Sequence, residues 1–181
     1  MSARIPVEVV PYDPLWPHLF AAESQRILAL IAPYVQCIEH MGSTAVPGLA
    51  AKPVIDILIG VHSLADDRYF LPPLASLGYS YVPEHEEVFP ERRYLHRIVA
   101  HCHTHHLHMV EAASNFFHVQ LRFRDILRAH PEEAACYAAL KLELAARFRD
   151  DREAYTDGKS TLITAIIARH AGEDLSGLYN R

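Results

Sequence analysis

The sequence has no apolar run approaching the roughly 18–20 residues that a membrane-spanning helix needs, so no membrane partner is expected. Met1 to Val10 contain no uninterrupted apolar stretch followed by a small-residue cleavage site, and a secretory leader is not expected. Cysteine is scarce and odd in number: Cys37, Cys102 and Cys136 are widely spaced and outline neither a disulfide framework nor a CxxC site. A reducing cytoplasm is the expected setting. Positive charge is also short. Lys+Arg 17 against Asp+Glu 22 leaves a net charge of −5, so bulk electrostatics predicts no nucleic-acid partner. Internal repeats and low-complexity tracts are absent as well.

What is present is an ordinary globular composition over 181 residues, 50% apolar and 22% charged, enough for a full core. Histidine stands out: there are 13, and six of them fall between His96 and His108.

Hydrophobic periodicity predicts a helix over 13–34, with Trp16, Phe20, Ile27, Leu30 and Ile31 on one stripe. Gln36 to Met41 reads as a short strand broken by Gly42-Ser43-Thr44. Val54 to Val61 is β-branched and apolar on both faces, which predicts a central strand covered on both sides. A helix over 61–77 and a brief strand over 79–82 follow, then a polar loop over 83–91 in which proline recurs. Arg92 to Val99 and His105 to Val110 alternate with period two and predict two further strands, with His101 and His103 in the loop between them. After Glu111 three helices are predicted. Ser114 caps the first, with the stripe Phe116, Val119, Phe123 and Ile126. Tyr137, Leu140, Leu144 and Phe148 mark the second; Asp150 or Asp151 caps the third, with Tyr155, Leu162, Ile163 and Ile166. This order suggests an α/β or α+β sheet domain over 1–112 backed by a helical part over 113–181. Phe123, Leu144 and Ile166 are expected to be buried where the helices meet the sheet.

The candidate chemistry begins at Gly42-Ser43-Thr44, a turn just after a strand, whose N–H groups and hydroxyl suit a phosphate; a plain turn is the alternative. Asp56 lies inside an otherwise apolar strand, where a carboxylate needs a cation or a donor. On a strand His106 and His108 share a face, so His-x-His offers two imidazoles to a metal, and Asp56 could complete a site of two imidazoles and one carboxylate. The alternative is a set of half-buried, hydrogen-bonded histidines. Lys52 could reach an anion above the sheet, and Arg92 and Arg93 could fork onto a phosphate or carboxylate or simply protect a sheet edge. Lys159 falls on the apolar stripe of the third helix, four residues from both Tyr155 and Ile163, where it must snorkel or meet an anion.

The run from Glu39 to Asp56 (EHMGSTAVPGLAAKPVID) closely resembles the signature of the GrpB-like family. So do Thr104-His105-His106-Leu107-His108, the run LRFRDILRAHP from Leu121 to Pro131, and the spaced pair Tyr155 and Lys159. That family is similar to a branch of the nucleotidyltransferase superfamily with the DNA-polymerase-beta type of fold. The resemblance implies an α+β protein with a small mixed sheet, flanking helices and a C-terminal helical part. It also implies that Gly42 and Ser43 form a phosphate-gripping turn and that Asp56 is a metal-binding carboxylate. Superfamily members carry Asp-x-Asp on this strand; here the residues two away are Val54 and Leu58, so Asp56 stands alone.

Three functions follow as expectations. One is metal-dependent nucleotidyl transfer to a small acceptor, with Asp56, His106 and His108 at a Mg, Mn or Zn ion. In it Gly42, Ser43, Thr44, Lys52, Arg93 and Lys159 hold a nucleotide or other phosphate-bearing small molecule. The second is a catalytically reduced anion- or metal-binding protein of the same fold, and the third is His/Asp metal-dependent hydrolysis. If Asp56, His106 and His108 share a site, Asp56 and His108 must lie within about 12 Å of one another.

Overall fold

The computed structural model describes residues 6–173 and residue 175. Five strands form one mixed sheet: β1 (Val35–Met41), β2 (Ile55–Val61), β3 (Tyr79–Tyr81), β4 (Arg93–Val99) and β5 (Cys102–Glu111). Their spatial order is β1-β2-β5-β4-β3. Only the β2–β5 pair is parallel, with Asp56 opposite His106 and Leu58 opposite His108. Among the described residues six α-helices accompany the sheet: α1 (Trp16–Ile31), α2 (Asp67–Ser76), α3 (Asn115–Ala129), α4 (Pro131–Arg147), α5 (Arg152–Asp157) and α6 (Ser160–Arg169). The fold is therefore α+β with a mixed sheet and C-terminal helices.

Strand alternation sorts the core. Ile55, Ile57, Ile59 and Val61 of β2 point with Leu95, Leu107 and Met109 to the face covered by Trp16, Ile27 and Ile31 of α1 and Phe70 and Leu74 of α2. On the opposite face Leu58, Val110 and Met41 pack against Phe117 and Leu121 of α3. Helix α3 covers only that end of the sheet, so Asp56, His106 and Tyr94 are left to line a cleft.

Several elements differ from the periodicity reading. The helix predicted over 61–77 begins at Asp67, because β2 continues to Val61 and Ser63 then caps a 3₁₀ turn by accepting from the Ala65 N–H. Strand β5 begins at Cys102 rather than His105, since Ala100 and His101 turn the hairpin in two residues with φ of 48° and 64°. His103, expected in the loop, is thereby paired with Ile98. Ser114 caps α3, and Asp151 caps α5. The third predicted helix is two, broken at Gly158 and Lys159.

The α3 stripe is the most instructive correction. Phe117 and Leu121 face the sheet, whereas Phe116, Val119 and Phe123 line the cleft. The helix is wedged between two layers and so carries two apolar faces. Ile126 and Leu127 meet Ile166, Val46 and Leu49, and half-buried Phe123 packs on the same cluster. Leu144 packs on Val7 and Tyr155. Phe123, Leu144 and Ile166 thus pack among the helices and the segments that flank the sheet, not on the sheet.

Candidate functional site

The cleft has a volume of about 690 Å³ and lies between the polar end of β2, β5 and β4 and the C-terminal helices. Its floor is set by the parallel register. His106 Nδ1 donates to Asp56 Oδ1 at 2.9 Å, and His108 Nε2 lies 4.0 Å from the same oxygen, well within the expected 12 Å ceiling. Arg152 Nη2, which can only donate, sits 3.2 Å from His106 Nε2, and this assigns the imidazole proton to Nδ1. His103 Nδ1 lies 3.3 Å from the same Nε2, so the histidine cluster extends up the hairpin.

Burial by itself would raise the Asp56 carboxyl. The hydrogen bond from His106, the two imidazoles in their protonated forms and the Lys52 cation outweigh it and hold the group at about 2. Burial pushes His108 down to about 3, with Arg92 adding to the effect, so it is a neutral imidazole at ordinary pH. Ligand atoms of Asp56, His106 and His108 all lie within 4.8 Å of one another, the spacing one ion can bridge.

Gly42 is required here by geometry. Its φ is +71°, and a Cβ on it would stand 2.5 Å from Asp56 Oδ2. Ser43 faces the cleft and pairs with the Tyr137 hydroxyl. Thr44 is buried; its hydroxyl donates to the Val54 carbonyl at 3.3 Å and accepts from His40 Nε2 at 3.0 Å. It therefore ties the turn to the sheet instead of offering a donor to a ligand.

Opposite Asp56 is a cluster of cations. Lys52 and Lys159 flank Tyr155, with Nζ atoms 5.3 Å and 4.5 Å from its ring centroid. Lys141 donates to the Ala50 carbonyl and lies over the Tyr137 ring. Burial first, and then mutual repulsion, lowers Lys52 to about 8 and Lys141 to about 7; Lys159 is lowered by burial and by Arg152. Among the described residues that line the cleft, Asp56 is the one carboxylate, set against Lys52, Arg92, Lys141, Arg152 and Lys159, with Arg124 paired to Glu39 and Asp125 behind the lining. A chain of net charge −5 thus concentrates positive charge in one concavity.

Of the expected site residues, the structure brings Gly42, Ser43, Lys52, Asp56, His106, His108 and Lys159 together. It does not bring Arg93, which lies on the other face of β4 and pairs with Asp67 and Glu86 at 3.0 and 2.9 Å. Its neighbour Arg92 enters the cleft, because adjacent strand residues point oppositely. Lys141, Arg152, Tyr94 and Tyr137 were not expected. Lys141 had a visible signal, since it falls between Tyr137 and Leu144 on the buried stripe of α4. Arg152 had none, because its partner His106 is remote in sequence.

Comparison with known proteins places this architecture. The sequence profile described as "GrpB protein" matches residues 6–169. The chain is 42% identical over 166 residues to the UPF0157 protein PA4798 of Pseudomonas aeruginosa, covering 90% of this chain and 67% of that protein. It is 38% identical over 157 residues to the UPF0157 protein YqkA of Bacillus subtilis, covering 87% of this chain and 45% of that protein, less than half of its length. The crystal structure of conserved protein GrpB from Enterococcus faecalis superposes with a TM-score of 0.82 at 30% identity, covering 96% of this chain and 100% of that one.

Proposed function

The chain belongs to the GrpB family, and from that premise and the chemistry of the cleft we propose that it binds a nucleoside triphosphate with a divalent ion and transfers a nucleotidyl group to a small acceptor. The observation that carries this reading is the pairing, within one cavity, of a cation cluster with the Asp56, His106 and His108 donor set. A triphosphate carries several negative charges and needs both: fixed cations for its terminal phosphates and an ion for the reacting one.

The donor set fits a metal once an ion displaces the His106 Nδ1 proton or the Arg152 contact, and its chemistry narrows which one. Two imidazoles and a carboxylate suit Zn²⁺ or Mn²⁺ better than Mg²⁺, which prefers oxygen ligands. When bound, the ion would polarise a phosphoryl oxygen and neutralise developing charge. The chain's own residues do the rest. Lys52, Lys159 and Arg152 would neutralise the phosphates, and Lys141, poised at about 7, adds charge in its protonated form. The Ser43 hydroxyl, oriented by Tyr137, would donate to a phosphate oxygen. Asp56 fixes the His106 ring, and Gly42 leaves room for the carboxylate.

A second reading, binding without turnover, draws on Val54 and Leu58, which leave Asp56 without a second strand carboxylate. Thermal-shift titration with nucleoside triphosphates, with and without Mn²⁺ or Zn²⁺, tests the binding common to both; ligand at 100 times its Kd adds about 2.7 kcal/mol. Asp56→Asn should remove the metal-dependent part of the shift, and Lys159→Gln the nucleotide part. Pyrophosphate release separates transfer from binding alone. Transition temperatures unmoved by nucleotide or metal would end both readings.

A further inference from the structure

The end of the cleft away from the lysines holds a cation with no ion-paired carboxylate among the described residues. Arg92 is 9% exposed, just before β4; Glu91 acts on it only at longer range, and no carboxylate among the described residues forms an ion pair with it. Its Nε is buried without a hydrogen-bond partner, and so is Nδ1 of the neighbouring His108. Among the described residues, the one side-chain hydrogen bond of the guanidinium goes to a neutral acceptor, His85 Nδ1, at 3.3 Å. Aromatic rings supply the remaining surroundings: the guanidinium carbon lies 4.6 Å from the Phe89 centroid, 5.7 Å from Tyr94 and 5.5 Å from Phe116.

Several other arginines are ion-paired, although among the described residues Arg152 in the same cleft also meets only a histidine. Arg93 has Asp67 and Glu86, Arg97 has Glu23, and Arg169 has Glu133. A guanidinium stays charged in a protein, and its forked N–H edge matches an oxyanion in geometry as well as in charge. Ring faces ease the burial of the cation but accept no linear hydrogen bond from Nε. The site therefore leaves a donor suited to an oxyanion unpaired beside apolar, flat walls. Phe89 is 41% exposed and Val88 71% exposed, so the loop over this end presents apolar surface to whatever enters.

We propose that Arg92 recognises the second substrate: it takes the carboxylate or phosphate of an acceptor whose body is flat and apolar, seated between Phe89, Tyr94 and Phe116. Only its role as the acceptor subsite rests on the transfer reading; the oxyanion site itself does not. The lysine end would then hold the triphosphate, and the two ligands would approach each other over Asp56 and His108.

Isothermal titration calorimetry with benzoate, phenyl phosphate and the neutral isostere benzamide tests this on the full chain. Benzoate or phenyl phosphate should bind saturably and benzamide at least about tenfold more weakly, as expected for loss of a charged hydrogen bond. The two anions distinguish a carboxylate from a phosphate ligand. Arg92→Gln should lose a similar factor and Arg92→Lys somewhat less, since lysine keeps the charge but not the fork. Arg93→Gln, one residue away on the other face, should leave affinity within about twofold. Saturating ATP with Mn²⁺ should not displace benzoate. If Arg92→Gln does not fold, the Arg92→Lys comparison carries the test. Equal affinity for benzamide, unchanged affinity in the Arg92 variants, displacement by ATP, or no saturable binding of either anion would each overturn the proposal. Benzoate binding through Arg92 in a chain that binds no nucleotide would leave the oxyanion site standing and remove the transfer reading.

Discussion

The two faces of the central strands differ by one residue of register and by everything else. Ile57, Leu107 and Leu95 form a row across β2, β5 and β4, each at most 1% exposed, under α1 and α2. The adjacent row is Asp56, His106 and His96, on the opposite face, where Asp56 and His106 line the cleft. The same backbone ladder thus serves a closed apolar core and a partly desolvated polar site. Because the side-chain period is two, a slip of one residue would exchange the rows, so the apolar face fixes the position of the polar one. The lesson is that the site's precision is inherited from the core behind it.

That comparison can be broken most severely from the core side. Ile57→Ala or Leu107→Ala should cost roughly 2–5 kcal/mol in urea unfolding, by lost transfer energy plus a cavity. Asp56→Asn should cost less, about 1–2 kcal/mol at pH 7, because it keeps the shape and one acceptor but loses the charge that the cleft favours. An Asp56→Asn loss as large as that of Ile57→Ala would make the polar row part of the structural core.

Acid should act next. Burial lowers both His40 and His105 to about 4, with Arg97 adding to the effect at His105. Unfolded imidazoles titrate near 6.5, so between pH 6.5 and 4 the unfolded chain takes up protons that the folded chain refuses. Stability should therefore fall as the pH drops through this window, by on the order of 2–4 kcal/mol in total. His40→Gln should flatten part of the slope, and a slope unchanged in that variant would remove His40 as a cause.

Gly42→Ala lies at the joint between the two faces. Its positive φ and the approach to Asp56 Oδ2 predict a loss of about 1–3 kcal/mol, together with weakened metal binding at Asp56. Ser43→Ala, beside it, should cost less than about 1 kcal/mol.

The smallest stability effect should come from Lys141→Met. The lysine is 2% exposed with its charged form disfavoured, so an apolar chain of similar length should shift stability by no more than about 1 kcal/mol. Nucleotide affinity should nevertheless fall by about tenfold. Raising the pH from 7 to 9 should do the same, since Lys141 and Lys52 lose their protons near 7 and 8. Over that range the unfolded lysines, at about 10.5, still hold protons, so stability without ligand should rise while anion affinity falls. Parallel rather than opposite trends would show that these lysines do not set the cleft's charge.

Much of this was readable one residue at a time. The period-two pattern of β2 and β5 put Asp56, His106 and His108 on a shared face, and the Gly42-Ser43 turn followed from its place after β1. Where the reading failed, the reason was a choice between equivalent local patterns. Arg92 and Arg93 are identical neighbours, and only the pairing of β4 with β5 decides which enters the cleft. The α3 stripe was ambiguous because both of its faces are covered. His103 depended on a two-residue turn at Ala100 and His101, neither of which is a glycine.

By itself the sequence determined the element types, the central strand, the Gly-Ser turn and the residues able to ligate a metal, because these rest on local periodicity and side-chain chemistry. Only the tertiary structure decided the sign of the cleft. Lys52, Lys141, Arg152 and Lys159 come from separate segments, and no local pattern reveals that they converge on one carboxylate. Net charge sums over the whole surface, while a ligand responds to the few groups that share its cavity, where partial burial strengthens every field.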